Sequence, residues 1–191
     1  MPELLRRLPH ADLYVQDEVQ CAFHPTLTRI WCLKGRRGQR LVEAPGDHRK
    51  VYGFGLVDWR DGWFDGRIAP GRTADVFCDQ VRAAVARSKL RGRVAILITD
   101  NLKTHTSQGS LLVRSMLTEL SDQLFLLYTP AYDPDATRIE WLWRISRRTV
   151  THNHQRKDFD TLRQTPDDLL RHIGSPFAPD KRPSQSQAYA A

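Results

Sequence analysis

The sequence predicts an α/β fold in which one mixed sheet carries helices on its faces, and three observations support it. The first third reads as strands joined by a hairpin turn. The remainder alternates helical and strand-like segments. VAILIT (Val94–Thr99) is an uninterrupted apolar run of the kind buried on both faces of a sheet. At 191 residues the chain fits one domain with room for a sizeable core.

Taken in order, the first strand runs from Asp12 to Val19, where Leu13, Val15, Asp17 and Val19 share one face by period-two alternation. Asp17 thus stands in an apolar row while Glu18 points to the opposite face. A polar, Arg- and Gly-rich stretch follows over about 24–47 and reads as an inserted hairpin or loop. A second strand, Lys50 to Asp58, leads through Arg60-Asp61-Gly62, a turn signal, into a third at Trp63 to Ile68.

Thr73 is placed to cap a helix whose apolar positions are Phe77, Val81, Ala84 and Val85. After VAILIT, the apolar positions Leu111, Leu112, Met116, Leu117 and Leu120 mark another helix, and Leu124 to Tyr128 a short buried strand. The loop TPAYDPDATR opens a helix capped by Asp133 or Asp135, with Ile139, Leu142, Trp143 and Ile145 on its buried side. A last helix, Phe159 to Ile173, ends at Gly174. The tail 175–191, rich in Pro, Ser and Gln, is expected to be disordered.

Composition narrows the partners. The formal charge is +7 and the pI about 9.7, which favours a polyanion, nucleic acid being the commonest. No apolar run approaches the ~20 residues of a membrane span. With no apolar core segment in MPELLRRLPHADLY and an unpatterned Cys21, Cys32 and Cys78, a reducing cytoplasmic setting is expected. Cys21 and His24 make one C-x-x-H pair without a second half, too little for a zinc site.

Three acids stand out: Asp17 on the first strand, Asp100 at the carboxyl end of VAILIT and Glu140 in IEWLW. Open α/β sheets place their ligands at the carboxyl ends of strands. Hard divalent cations take oxygen ligands, one or two carboxylates each, and leave room for water and phosphate. Two such ions ~4 Å apart activate a nucleophile and stabilise a leaving oxygen. Blander readings exist for each acid: a buried Arg or backbone amides for Asp17, a turn or cap for Asp100-Asn101, a pair with Arg144 one helical turn on for Glu140. Among the other acids, Asp58 and Asp61 flank a turn, and Asp135 is the best substitute for Glu140. His105, five residues after Asp100, is either a phosphate contact or a core histidine.

DNLKTH (Asp100–His105), LLYTPAYDPDATRIEWLWRISRR (Leu126–Arg148) and THNH (Thr151–His154) together resemble the catalytic domain of DDE transposases of the mariner superfamily. The closer likeness is to its bacterial insertion-sequence branch. VQDEVQCAFHPTLTRIWCLKG is similar to that family's first-acid region, and HRKVYGFGLVDWRDGW to the strands after it. The resemblance runs from about Asp12 to about Ile173 and implies a ribonuclease-H-like mixed sheet with helices on both faces, in a domain bounded at residues 1–174. It implies Asp17, Asp100 and Glu140 as the metal-binding triad for two Mg²⁺ or Mn²⁺ ions, Asp17 bridging both; Asn101 and His105, beside Asp100, are candidate accessory residues. It also implies cleavage of double-stranded DNA at transposon ends, transfer of the freed 3′-hydroxyl to target DNA, and a homodimer.

The sequence departs from that family where Thr137-Arg138 replaces the usual Asn-Pro before Ile-Glu, and where the interval between Asp100 and Glu140 is slightly long. No helix-turn-helix fits in MPELLRRLPH, so a catalytic fragment, a split-frame product or a decayed element is expected. The rivals to a transposase are accordingly an inactive DNA-binding remnant and a stand-alone metal-dependent nuclease. For phosphate contact the expected residues are Arg36, Arg37, Lys50, Arg144, Arg147 and Arg148, with Arg40, Arg49, Arg156 and Lys157 adding charge. Trp31, Trp141 and Trp143 are expected in the core, although Trp31 is also a candidate for stacking on a base.

Overall fold

A computed structural model describes residues 8–35, 41–43, 46–130 and 139–174. Arg36, Arg37, Arg40, Asp133, Asp135, Thr137, Arg138 and the tail 175–191 lie outside the described residues, and so do the expectations that rest on them.

Among the described residues five strands form one sheet: β1 (Ala11–Ala22), β2 (Lys50–Asp58), β3 (Phe64–Ala69), β4 (Val94–Thr99) and β5 (Leu124–Tyr128), in the order β3-β2-β1-β4-β5. β1 and β2 pair antiparallel, as do β2 and β3, while β1–β4 and β4–β5 are parallel. The β2–β3 hairpin closes where Asp58 Oδ1 accepts from the Arg60 amide and Asp61 Oδ1 from the Trp63 amide. Gly62 supplies the positive φ of 76° that this turn requires. Among the described residues four helices cover the sheet: α1 (Ala74–Leu90), α2 (Leu111–Glu119), α3 (Glu140–Ser146) and α4 (Phe159–Gly174).

The sheet is buried on both faces, so the chain has two cores. On one face Tyr14, Leu56, Ala95 and Leu97 pack with Phe77, Val81, Val85, Val113 and Met116 of α1 and α2. On the other, Leu13, Val15, Val19 and Ile96 pack with Ile139, Leu142 and Trp143 from the α3 segment and Leu162 and Leu170 of α4. The period-two alternation of β1 therefore holds: its odd-numbered residues face α3 and α4, and Asp17 is among them. Ile145, expected in the core, is exposed, and Ser146 is buried instead. Ile145 lies about 240° round the helix from Ile139, just past Leu142 and outside the buried stripe.

Thr73 occupies the N-cap position of α1 without a side-chain cap bond, whereas Ser110 caps α2 by accepting from the Val113 amide. After α3 the backbone widens into one π-helical turn, Arg147–Thr151. The stretch following β1 is a loop in its described part. It docks on the residues after the π-turn through a Thr26–His152 bridge and through Asn153, whose side chain bonds both the amide and the carbonyl of Thr28.

At the amino end of β1, Asp12 and Asp58 are fully buried and enclosed by arginines. Arg93 reaches Asp12 at 2.9 Å and Arg91 reaches Asp58 at 3.0 Å. This ion-pair network lies at the opposite end of β1 from Asp17.

Candidate active site

Parallel pairing of β1 with β4 aligns Val15 with Ile98. Asp17 and Asp100 each lie two residues beyond that pair, so the register carries them to the same level at the carboxyl ends of neighbouring strands. The third acid comes from α3, and a hydrogen bond ties that helix to β1. Trp143, fully buried and one helical turn after Glu140, donates its indole N–H to Asp17 Oδ2 at 3.0 Å. The ring lies over Gly55, the β2 residue opposite Asp17; a Cβ there would fall 2.5 Å from Trp143 Cη2. Glycine at this position allows the indole to pass under the first acid.

Burial raises the Asp17 carboxyl to about 6. Its backbone and Trp143 hydrogen bonds oppose the rise, and the charges of Asp100 and Glu140 add to it.

Each of the other two acids has a protein partner. Asp100 Oδ1 meets His105 Nδ1 at 2.6 Å and accepts from the Leu102 amide at 3.2 Å. Burial pushes the Asp100 carboxyl up, but the bond and charge of His105, then the Leu102 amide and Arg72, hold it below the usual carboxylate value. Glu140 accepts from Arg147 Nη1 at 2.6 Å, so its partner is Arg147 rather than Arg144. Seven residues on, Arg147 returns to the face of Glu140. The Asp100 and Glu140 side chains are both 43% exposed.

His105 does not face a phosphate. It is 1% exposed, in a short 3₁₀ turn (Lys103–His105), stacked on Phe77 with ring centroids 4.3 Å apart. Both ring nitrogens are engaged within the protein, Nε2 by Glu18 Oε1 at 2.8 Å. Burial lowers the imidazole pKa, but the hydrogen bonds and charges of Asp100 and Glu18 outweigh it and carry the value to about 9. Glu18 sits on the face opposite Asp17, as alternation requires, and yet joins the site through this ring. Nothing in the sequence pattern marked that link; the motif D-N-L-K-T-H marked His105 only. Asn101 is exposed at the mouth of the site.

Two carboxylates at the carboxyl edge of the sheet and a third on α3, one with its charge disfavoured and two partly open to solvent, have the donor chemistry a hard divalent cation requires. Among the described residues no three His, Cys, Asp or Glu side chains stand close enough as they are to cage an ion. Trp143, His105 and Arg147 instead hold one carboxylate each.

Basic residues flank the acids. Arg144, Arg148, Arg156 and His152 line a groove together with Trp31. Trp31 is fully exposed, not a core residue, whereas Trp143 is buried. Arg156 is committed to the Val150 carbonyl at 2.7 Å. Lys50 is exposed at the start of β2, opposite Ala22 and so beyond Asp17 at the same end of the sheet. Among the described residues no helix is long and apolar enough to cross a membrane.

The mixed sheet, its order and its two-sided helix cover are those of a ribonuclease-H-like fold. The model of the DDE superfamily endonuclease family matches residues 12–163, and the chain belongs to that family. Among solved structures, the Mos1 mariner paired-end complex with Mn superposes with a TM-score of 0.60 at 16% identity, covering 94% of this chain and 52% of that one. The Mos1 paired-end complex with the left transposon end gives 0.59 at 17% identity, with the same coverage of 94% and 52%. The isolated catalytic domain of Mos1 transposase gives 0.53 at 17% identity, covering 88% of this chain and 74% of that chain. At these identities the likeness is one of fold. The chain spans about half the length of the Mos1 chains in the paired-end complexes, 52% in each. No curated protein sequence matches it.

Proposed function

We propose that this chain is the metal-dependent catalytic domain of a DNA transposase, with Asp17, Asp100 and Glu140 as its ligand triad. The observation that carries the reading is the shared level of Asp17 and Asp100 on adjacent parallel strands, with the helix of Glu140 tied to Asp17 through Trp143. In this reading Asp17, Asp100 and Glu140 would be the carboxylates that hold divalent ions, Mg²⁺ or Mn²⁺. Bound there, such ions activate the attacking oxygen and stabilise the departing one in a phosphodiester displacement.

The chain's own residues orient that chemistry. Trp143 fixes Asp17 by a charge-assisted hydrogen bond. Arg147 neutralises Glu140 until a ligand takes its place. Arg144, Arg148 and Lys50 receive phosphates and set the duplex in register without reading its sequence. Water is the first nucleophile and yields a free 3′-hydroxyl, which then attacks target DNA in the second step.

The family membership supports an endonuclease, and the Mos1 structures are of complexes with transposon ends, with Mn, with Mg and of strand transfer. Strand transfer by this chain, homodimeric assembly and an insertion-sequence origin belong to this reading through the DN and IEWLW motifs. The discriminating experiment incubates the protein with end-labelled DNA, target plasmid and Mn²⁺. Covalent joining of label to plasmid is the expected result, and shortened labelled strands with no joined product would leave a hydrolytic nuclease in its place.

A further inference from the structure

Asp100 is the more solvent-open of the two acids at the sheet's carboxyl edge, yet one of its oxygens is fully committed. Oδ1 takes His105 Nδ1 and the Leu102 amide. Among the described residues Oδ2 accepts no hydrogen bond. His105 in turn is immobilised from every side. Glu18 Oε1 holds Nε2, Phe77 stacks on the ring, and Tyr128 donates its hydroxyl to the His105 carbonyl at 3.0 Å. The Thr99 hydroxyl stands 3.3 Å from Nδ1. Glu18 is itself fixed, its second oxygen 3.2 Å from Arg72 Nε.

A histidine kept only for packing would not need two carboxylates, and a half-exposed aspartate has water available and does not need a buried imidazole. We infer that Glu18 and His105 form a positioning pair for Asp100, holding Oδ1 within the protein so that Oδ2 alone is presented to a divalent cation. The pair acts as outer partners act in metal sites generally, by fixing the orientation of a ligand they do not replace. It reaches Asp100 from the face of the sheet opposite to Trp143, so the first two acids are steadied from opposite sides. This inference rests on the reading of Asp100 as a metal ligand.

The test measures Mn²⁺ binding by electron paramagnetic resonance titration of the intact chain, with thermal melting as the check on folding. His105→Phe keeps a ring for Phe77 to stack on and donates nothing; it is expected to weaken Mn²⁺ binding roughly 10–100-fold. His105→Asn places an amide nitrogen where Nδ1 stood, and is expected to recover most of that loss. Asp100→Asn is the reference. A folded His105→Phe protein that binds Mn²⁺ within twofold of wild type, while Asp100→Asn does not, overturns the positioning role and leaves the metal-site reading standing. Equal binding by wild type and Asp100→Asn overturns both. Should His105→Phe not fold, a crystal structure of the wild-type protein with Mn²⁺ decides: ligation through Oδ2 with Oδ1 still on His105 supports the pair, and ligation through Oδ1 or by His105 overturns it.

Discussion

Trp143 donates its indole N–H to Asp17 at 3.0 Å from beneath the sheet, joining the helix of the third acid to the strand of the first. One bond does not offset the desolvation of a buried carboxylate with two acids nearby, so Asp17 ionises only at a cost. Its folded pKa, about 6, stands above the ordinary 3.8. The unfolded chain therefore holds the charge more readily than the folded one. The cost, on the order of 3 kcal/mol, is fully present above pH 6 and vanishes below the unfolded value.

Asp17→Asn keeps an acceptor for Trp143 and removes the charge. It should raise metal-free stability at pH 8 by about 1–3 kcal/mol. The advantage should shrink as pH falls from about 6 towards 4, where the wild-type carboxyl is protonated. Urea denaturation of both proteins across that range, without divalent ions, reads the difference. A gap that stays constant with pH would show that the substitution acts through packing.

Gly55 gives a second handle on the same contact. Its absent Cβ leaves room that Trp143 and Ile139 use, at 2.5 Å and 3.2 Å from where that atom would be. Gly55→Ala must push the indole away from Asp17 and should cost about 1–3 kcal/mol by overpacking. Loss of cleavage should exceed what the lost stability explains, since the first acid loses its donor. Parallel measurements of unfolding free energy and nicking rate separate the two.

Arg147 bridges to Glu140 on a surface two-fifths exposed. An ion pair of this exposure contributes about 0–1 kcal/mol, so exchanging it for a metal and a DNA phosphate is cheap. Arg147→Ala should therefore leave the melting temperature nearly unchanged. The double substitution Arg144→Ala with Arg148→Ala should lower the slope of log K against log salt by about 2. Fluorescence anisotropy with duplex DNA at several salt concentrations measures that slope, and an unchanged value would remove the groove from the DNA-binding surface.

How much of this was legible depends on whether local pattern or long-range pairing decides a feature. The bounds of β2, β4 and β5 follow from their own residues, since apolar runs and the Arg60-Asp61-Gly62 turn are local signals. So does the face of Asp17, because strand alternation is strict. The link from Glu18 through His105 to Asp100 is not local: it spans 87 residues, crosses to the opposite face of the sheet and depends on a 3₁₀ turn that no periodicity announces. The donor on Asp17, 126 residues away, was equally hidden, since Trp143 reads as plain core until its N–H is seen to point at an acid. Trp31 departs from the expected burial for a related reason. Aromatic character suggests burial, but Trp31 lies on a loop whose anchors, Thr26 and Asn153, hold backbone and leave the ring outside.

Mn²⁺- or Mg²⁺-dependent nicking of supercoiled plasmid tests most directly whether these acids make a metal-dependent DNA-cutting site. Wild-type protein should nick only with the divalent ion present, and Asp100→Ala, folded and still bound to DNA, should lose that activity by at least 100-fold, the ~3 kcal/mol typical of losing an essential charged group. Equal nicking by both proteins would contradict the account.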